Sequence, residues 1–387
     1  MDIKKLREIC GIVSGGTPLR TNAEFWDGGI IPWIKIGDIK GKYVSDADEH
    51  ITQAGLEGSS AKMLSKGTIL YTIFATLGEV GILTIDACTN QAIAGITIRN
   101  KDEVLTDYLY YYLKSKKSYV NNLGRGVAQN NINLSILRDL EVPLPTLSVQ
   151  RQTVDILDKT AKVIKYRLQQ LQNLDDLVKA RFVELFGDCV LNTKRWNTRR
   201  LGDIAEVGSS KRVFVEELRE SGIPFFRGTE IGALAEGKSI KPELFISENH
   251  YKELCSATGT PNMGDLLMPS ICPDGRIWVV NTTEPFYFKD GRVLWVHKID
   301  RSYNSIFLLY TLKDRIMTDY SSIASGTTFA ELKIFALKEC RIFDAPLELQ
   351  EQFAAFVTQA DKSKAAVQKA LDEAQLLFDS LMQKYFG

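Results

Sequence analysis

The sequence predicts an α+β chain written twice. Two similar mixed α/β domains are expected, separated by two long antiparallel, coiled-coil-like helices and related by a pseudo-twofold internal repeat. Three observations lead there. Residues 126–187 align with 326–387 at a constant offset of 200 and without gaps. The fronts of the two halves correspond as well, with small gaps. From Ser148 to Leu185 no Pro or Gly interrupts 38 residues, and the apolar positions step by threes and fours.

The repeat rests on named residues. Gly126, Leu137, Leu147, Gln150, Gln152, Lys162, Leu171, Leu177, Phe186 and Gly187 recur as Gly326, Leu337, Leu347, Gln350, Gln352, Lys362, Leu371, Leu377, Phe386 and Gly387. Further forward, Ile31-Pro32-Trp33-Ile34-Lys35 corresponds to Ile223-Pro224-Phe225-Phe226-Arg227, and Gly67–Leu70 to Gly264–Leu267. Four segments follow: a domain over 1–145, a helix over 146–187, a domain over 188–345 and a helix over 346–387.

Within the domains, short apolar runs bounded by Gly, Asn, Pro or Asp read as strands: Thr68–Phe74, Ile93–Ile98, Asp265–Met268 and Val293–His297. Thr106–Lys117 reads as a helix with Leu109, Tyr112 and Leu113 on one face, and Asn304–Lys313 as its counterpart. Pro143 and Pro145 precede the first long helix and Gly187 ends it. The 38 residues span about 57 Å at ~1.5 Å per residue. A domain of about 140 residues is only ~30–35 Å across, so the helix must protrude. A wet stripe is costly, so the expected seam packs helix on helix. It runs through Leu157, Ile164, Leu168, Leu171, Val178 and Leu185, and through Val367, Leu371, Ala374, Phe378 and Leu381.

Length, 387 residues, allows two or three domains, and 44% hydrophobic with 25% charged residues is ordinary for a globular chain. No run of 18 apolar residues predicts a membrane span, and the polar N-terminus predicts no secretory signal. The six cysteines lie far apart without a CxxC pair, so reduced, mostly buried thiols in a cytoplasmic protein are expected. Lys plus Arg equals Asp plus Glu, 48 against 48. That balance argues against a uniformly basic nucleic-acid binder and leaves room for a local basic surface. Residues 101–138 carry six basic and three acidic side chains.

Catalytic signatures are missing. His50, His250 and His297 sit at no metal-ligand spacing, so no metal site is expected. The phosphate loop GxxxxGK[ST], GxGxxG and GxSxG are absent, as is the [DN]PP[YF] tetrapeptide of base-flipping amino-methyltransferases. Scattered carboxylates such as Asp203, Glu206 and Glu230 could be imagined in a nuclease, but any chain with 48 acids offers such sets. A binding module is expected rather than an enzyme, with a stand-alone DNA-processing nuclease as the alternative and a plain scaffold third.

The remaining motifs carry a family resemblance. Ser14-Gly15-Gly16-Thr17-Pro18, Phe25–Ile30 and Ile31–Ile39 resemble the opening of a target recognition domain, the module of type I restriction-modification specificity (S) subunits. Gly126–Asn133, leading to Pro143-Leu144-Pro145 and Gln150, is similar to that family's passage into its long helix. Ile223–Ile231 and Pro285–Gly291 resemble a second such domain. The second copy departs from the pattern, with Thr327-Thr328-Phe329 in place of the Gln-Asn-Asn turn and Asp344-Ala345-Pro346 in place of Pro-Leu-Pro.

The resemblance implies a non-catalytic subunit that binds duplex DNA at a bipartite site, one half per domain. Its helices would dock two methyltransferase (M) subunits, with room for restriction (R) subunits. S-adenosylmethionine and ATP would sit on those partners, where the target adenine is flipped, and no cofactor would sit on this chain. Readers need phosphate contacts for register and polar side chains at base edges, carried on loops. The expected contacts in the first domain are Lys35, Asp38, Thr72, Thr76, Asn90, Gln91, Arg125, Gln129 and Asn130. In the second they are Arg212, Arg227, Thr229, Ser270, Arg276, Lys289, Arg292, Thr327 and Thr328. Trp26 and Trp33 are expected in the core, and Gly126 and Gly326 at permissive turns.

Overall fold

A computed structural model describes residues 2–124, 131–189, 191–326 and 330–387. The expected contacts Arg125, Gln129, Asn130, Thr327 and Thr328, and the turn at Gly126, lie outside the described residues. The chain divides into two compact units, residues 1–168 with 369–387 and residues 169–368. Both cuts fall inside long helices, at positions that differ by the repeat offset of 200. Each helix therefore starts in one unit and ends in the other.

The first unit is built on a five-stranded sheet. Cys10–Ser14 pairs with Ile93–Ile98, which pairs with Ile69–Thr72, then Val80–Leu83, then Tyr43–Val44. A three-stranded sheet sets Ile31–Ile34 antiparallel to Glu49–Ile51 and parallel to Cys88–Thr89. Asp2–Lys5 pairs with Glu141–Leu144, so the chain start is closed by the segment that leads into the long helix. Ile93–Ile98 is buried at every position but one, which is why it reads as a continuous apolar run rather than an alternating one.

The second unit repeats this wiring with different residues. Glu206–Gly208, Val293–His297, Leu266–Pro269 and Trp278–Val279 form a four-stranded sheet in that order. Ile223–Phe226 lies antiparallel to Phe245–Ile246 and parallel to Tyr287–Phe288, and Thr198–Arg200 pairs with Arg341–Phe343. The mixed α/β pattern and the internal repeat are thus present in the strand pairing as well as in the sequence. The first domain helix runs Thr106–Ser115, two residues short of the expected end, and is followed by Lys117–Gly124; the second, Ser305–Ile323, runs ten residues past the expected Lys313.

The long helices are Leu147–Phe186 and Leu347–Phe386, 40 residues each. In the second unit they run antiparallel: Asp175 meets Lys364 at 2.6 Å, and Phe182 meets Phe353 at 5.3 Å between ring centres. Their inner faces fuse with the domain cores. Leu157, Ala161 and Ile164 join Phe378, Leu381 and Tyr385 in the first unit; Val178, Phe182 and Leu185 join Phe353, Val357 and Ala360 in the second. Ala374 is buried, and Leu171, Val367 and Leu371 are half-buried. One expected seam residue departs: Leu168 is 54% exposed. Stepping from Ile164 to Leu171 as three then four residues puts Arg167, half-buried, on the inner face instead.

Two sequence identities acquire a reason. Gln150 is fully buried. Its carbonyl accepts from the Leu105 N–H at 2.9 Å, and its amide donates to the Glu103 and Pro145 carbonyls at 2.8 and 2.9 Å. Gln350, also fully buried, accepts from the Asn304 N–H at 2.9 Å and donates to the Ser302 and Ala345 carbonyls at 3.1 and 2.8 Å. Each glutamine satisfies buried backbone groups that no ladder reaches, tying a long helix to the loop before a domain helix. The Phe-Gly endings also match. Phe186 packs on Phe307 and Phe353, and Phe386 on Tyr108 and Tyr112.

All six cysteines are free thiols, five of them buried. Trp33 is core, 2% exposed, and Trp26 packs edge-on against it at 5.2 Å. Gly326 has φ 137°, the left-handed backbone expected of a permissive turn. Among the described residues no helix is long and apolar enough to cross a membrane.

Candidate nucleic-acid interface

In the first unit the strands Ile31–Ile34 and Cys88–Thr89 run parallel and end together, which sets Lys35 beside Asn90; the Asn90 N–H donates to the Ile34 carbonyl at 3.1 Å. The Lys35 ammonium pairs with Glu49 at 2.6 Å, and Glu49 also takes the Arg20 guanidinium. Hydrogen bonds from Arg20 and Lys35 hold the Glu49 carboxyl below its usual range. Arg20 lies 4.0 Å above the Trp26 ring, a cation–π contact that fixes its plane. Gly15 and Gly16 press the opening loop onto this edge: a Cβ on Gly15 would overlap the Asn90 carbonyl and Thr89. Thr17 then bonds the exposed Gln91 side chain. Lys35, Asn90 and Gln91 are therefore gathered at one edge, and Thr17, Arg20 and Glu49 join them without having been expected.

Other first-domain expectations are committed to the fold. Asp38 is 8% exposed, and its carboxylate caps the Lys35 N–H at 2.7 Å. Thr72 is fully buried; its hydroxyl bonds the Thr76 carbonyl and accepts from the Glu79 N–H at 2.8 Å. Both are local side-chain-to-backbone bonds that stabilise turns. Thr76 is exposed on the loop joining Ile69–Thr72 to Val80–Leu83, next to Ala75 with φ 62°.

The second unit presents a basic concavity. Arg227, Thr229, Ser270, Arg276, Lys289 and Arg292 line one cavity of about 500 Å³. Strand pairing explains the convergence. Ile223–Phe226 and Tyr287–Phe288 are parallel, and the Lys289 N–H donates to the Phe226 carbonyl at 2.9 Å, so Arg227 and Lys289 leave adjacent strand ends. The Ser270 N–H donates to the Arg292 carbonyl at 2.9 Å, which brings in the other sheet. Arg276 pairs with Asp274 at 2.8 Å and Arg292 with Glu331. Among the described residues Lys289 has no carboxylate partner. Arg212 stands outside this lining, largely exposed and paired with Asp290 at 3.0 Å.

Glu230 was overlooked as part of this face. It sits 13% exposed under Arg227 and takes the Arg227 Nε and Nη2 at 3.2 and 2.6 Å, the Arg227 backbone N–H at 2.8 Å and the Thr229 hydroxyl at 3.0 Å. Burial alone would raise its pKa, but the bonds from Arg227 and Thr229 outweigh that and hold it at about 2. The signal was in the sequence: both domains read Pro, two apolar residues, a base, and an acid three positions later, Lys35/Asp38 and Arg227/Glu230. In both, the acid caps the backbone N–H of the base.

Among the described residues no cluster of three His, Cys, Asp or Glu could hold a metal ion. Two of the three imagined nuclease carboxylates have basic partners: Glu230 binds Arg227, and Glu206 binds Lys298 at 2.8 Å. His297 lies stacked on Trp295, 3.7 Å between ring centres.

Two copies of one α/β domain each raise a base to the same strand end and are each followed by a 40-residue helix, the arrangement of a duplicated recognition module. The chain belongs to the family of type I restriction modification DNA specificity domains, which matches residues 1–174 and 193–375. It is similar to the type I restriction enzyme MjaIX specificity subunit of Methanocaldococcus jannaschii, 26% identical over 405 residues, covering 99% of this chain and 92% of that one. Its fold matches the S subunit of a type I restriction-modification system from M. genitalium, with TM-score 0.57 at 15% identity, over 100% of this chain and 96% of that one. It also matches a chain from a type I R-M system described for its complex assembly and conformational transition, with TM-score 0.60 at 16% identity, over 100% and 97%. The first two of these relatives are named as specificity (S) subunits, and nothing among the three supports a stand-alone nuclease.

Proposed function

We propose that the two basic edges read the two halves of a bipartite duplex DNA site, and that the long helices hold them at a fixed spacing while docking two methyltransferase subunits. The observation that carries this is the convergence of Arg227, Arg276, Lys289 and Arg292 with Thr229 on one concavity of a chain with zero net charge, where Ser270 is buried in the wall at 2% exposed. Cations neutralise phosphates and release counterions, and polar side chains among them reach base edges. Lys35, Arg20, Asn90 and Gln91 supply the same mixture in the first domain.

Docking is supported by a second apolar stripe on the first long helix. Val149, Ile156, Val163 and Leu177 fall at heptad spacing and are each 40–51% exposed. S-adenosylmethionine belongs to the docked subunits and ATP to a restriction subunit where one joins; this chain binds neither. It works in the cytoplasm, where free thiols persist. Methylation mapping of DNA from cells that express the chain with its methyltransferase tests the reading. A two-part motif with a fixed gap is expected; a continuous motif, or none, overturns it.

A further inference from the structure

We propose that Arg227 is the side chain that selects a guanine in the second half-site, and that Glu230 is the positioning residue that aims it. This rests on the reading of that concavity as a duplex-reading surface. A guanine presents O6 and N7 side by side in the major groove, and a planar guanidinium matches the pair with two parallel N–H bonds. Discrimination requires that the fork be held before the base arrives, because a swinging arginine satisfies a phosphate equally well.

Arg227 is the arginine of this cavity that is held in that way. Glu230 grips its Nε–Nη2 side, at 3.2 and 2.6 Å. Glu230 is itself fixed by the Arg227 N–H and the Thr229 hydroxyl, and only 13% of its side chain is exposed. The outer end of the fork is open to exchange. Among the described residues Nη1 meets no acceptor, and Nη2 makes its other bond, at 3.2 Å, to Glu243, whose side chain is 74% exposed. An incoming guanine displaces Glu243 and leaves Glu230 in place.

The neighbouring cations differ. Arg276 pairs through Nε with Asp274, itself 55% exposed, Arg292 pairs with Glu331 through Nη1, and Lys289 has no carboxylate partner among the described residues. None of them is gripped along the Nε–Nη2 side by a largely buried acid as Arg227 is, so they follow phosphates, which sets affinity without sequence. In the first domain the equivalent base is Lys35, a point charge, and Asp38 bonds only its backbone. The two half-sites are therefore read by different chemistry at the same strand end.

The test uses the full chain assembled with methyltransferase subunits. Duplex libraries carry the mapped first half-site and a randomised second one, with binding selection at several salt concentrations. Arg227→Lys keeps the charge and removes the fork. It is expected to lose guanine preference at one position by about 5- to 150-fold, with the salt slope and the first half-site unchanged. Glu230→Gln should weaken preference at that same position, which a merely structural loss would not single out. Lys289→Ala should weaken all sequences alike and reduce the salt slope by about one. Unchanged preferences in Arg227→Lys, or a wild-type second half-site without guanine, overturn the proposal. A wild type with no preference anywhere in the randomised half overturns the reading of the surface itself.

Discussion

The penultimate residue of the chain stabilises the unit that contains the N-terminus. Phe386 is 3% exposed and packs on Tyr108 and Tyr112, with ring centres 5.3 and 6.2 Å away. Its carbonyl accepts from the Lys116 ammonium at 2.8 Å. Phe386→Ala removes a core aromatic ring, a change that costs about 3–5 kcal/mol. Against a typical domain stability of ~5–15 kcal/mol that is a large share. For a unit of this size it lowers the midpoint of unfolding by roughly 6–20 °C. Phe186→Ala should do the same to the other unit, where Phe186 lies 4.6 Å from Phe307 and 5.7 Å from Phe353. Hydrogen exchange read by mass spectrometry separates the two. In Phe386→Ala, peptides over Ile93–Ile98 and Thr106–Ser115 should lose protection while Val293–His297 keeps it. In Phe186→Ala the pattern should invert. If Phe386→Ala left Thr106–Ser115 protected, or opened Val293–His297 instead, the crossed packing of the helix ends would be refuted.

Three further outcomes follow from the same geometry. Gln150→Leu fills the space but strands the Leu105 N–H and the Glu103 and Pro145 carbonyls; at about 1–3 kcal/mol for each group left unsatisfied, urea denaturation of the first unit should shift by several kcal/mol. Glu230 has its carboxyl depressed to about 2 in the folded state, against an ordinary 4.5. A depressed acid stabilises the fold above its unfolded value and loses that contribution as pH falls towards 2. The second unit should therefore lose at most ~3 kcal/mol between about pH 4.5 and 2, and Glu230→Gln should flatten that dependence. Calorimetry of the purified chain should detect neither S-adenosylmethionine nor ATP; stoichiometric micromolar binding of either would contradict the assignment of both to partner subunits.

The sequence made the long helices plain, because 38 residues without Pro or Gly and with regular apolar steps admit few other structures. It left one ambiguity, the path between Ile164 and Leu171. Four-then-three stepping through Leu168 and three-then-four through Arg167 both keep a seam, and the long aliphatic stem of Arg167 is compatible with the buried side. Gln150 and Gln350 were visible as a repeated pair but not as buried bonding groups, since two of the three partners of each lie 45–48 residues away in the chain. Short strands such as Glu49–Ile51 and Phe245–Ile246 carry too few residues to show a period. The second-domain cations were legible as residue types near glycines, and it was the parallel pairing of remote strands that gathered them. Asp38 and Thr72 misled because a polar side chain in a turn looks the same whether it faces a ligand or its own backbone.

The central claim is one reader per half-site, and exchanging one domain tests it most directly. Residues 1–140 are replaced by the corresponding domain of another family member, keeping the tyrosines that receive Phe386, and methylated sites are mapped by sequencing DNA from cells that carry the methyltransferase. The account predicts a motif with a new first half and an unaltered second half across an unaltered gap. A motif changed in both halves would contradict it.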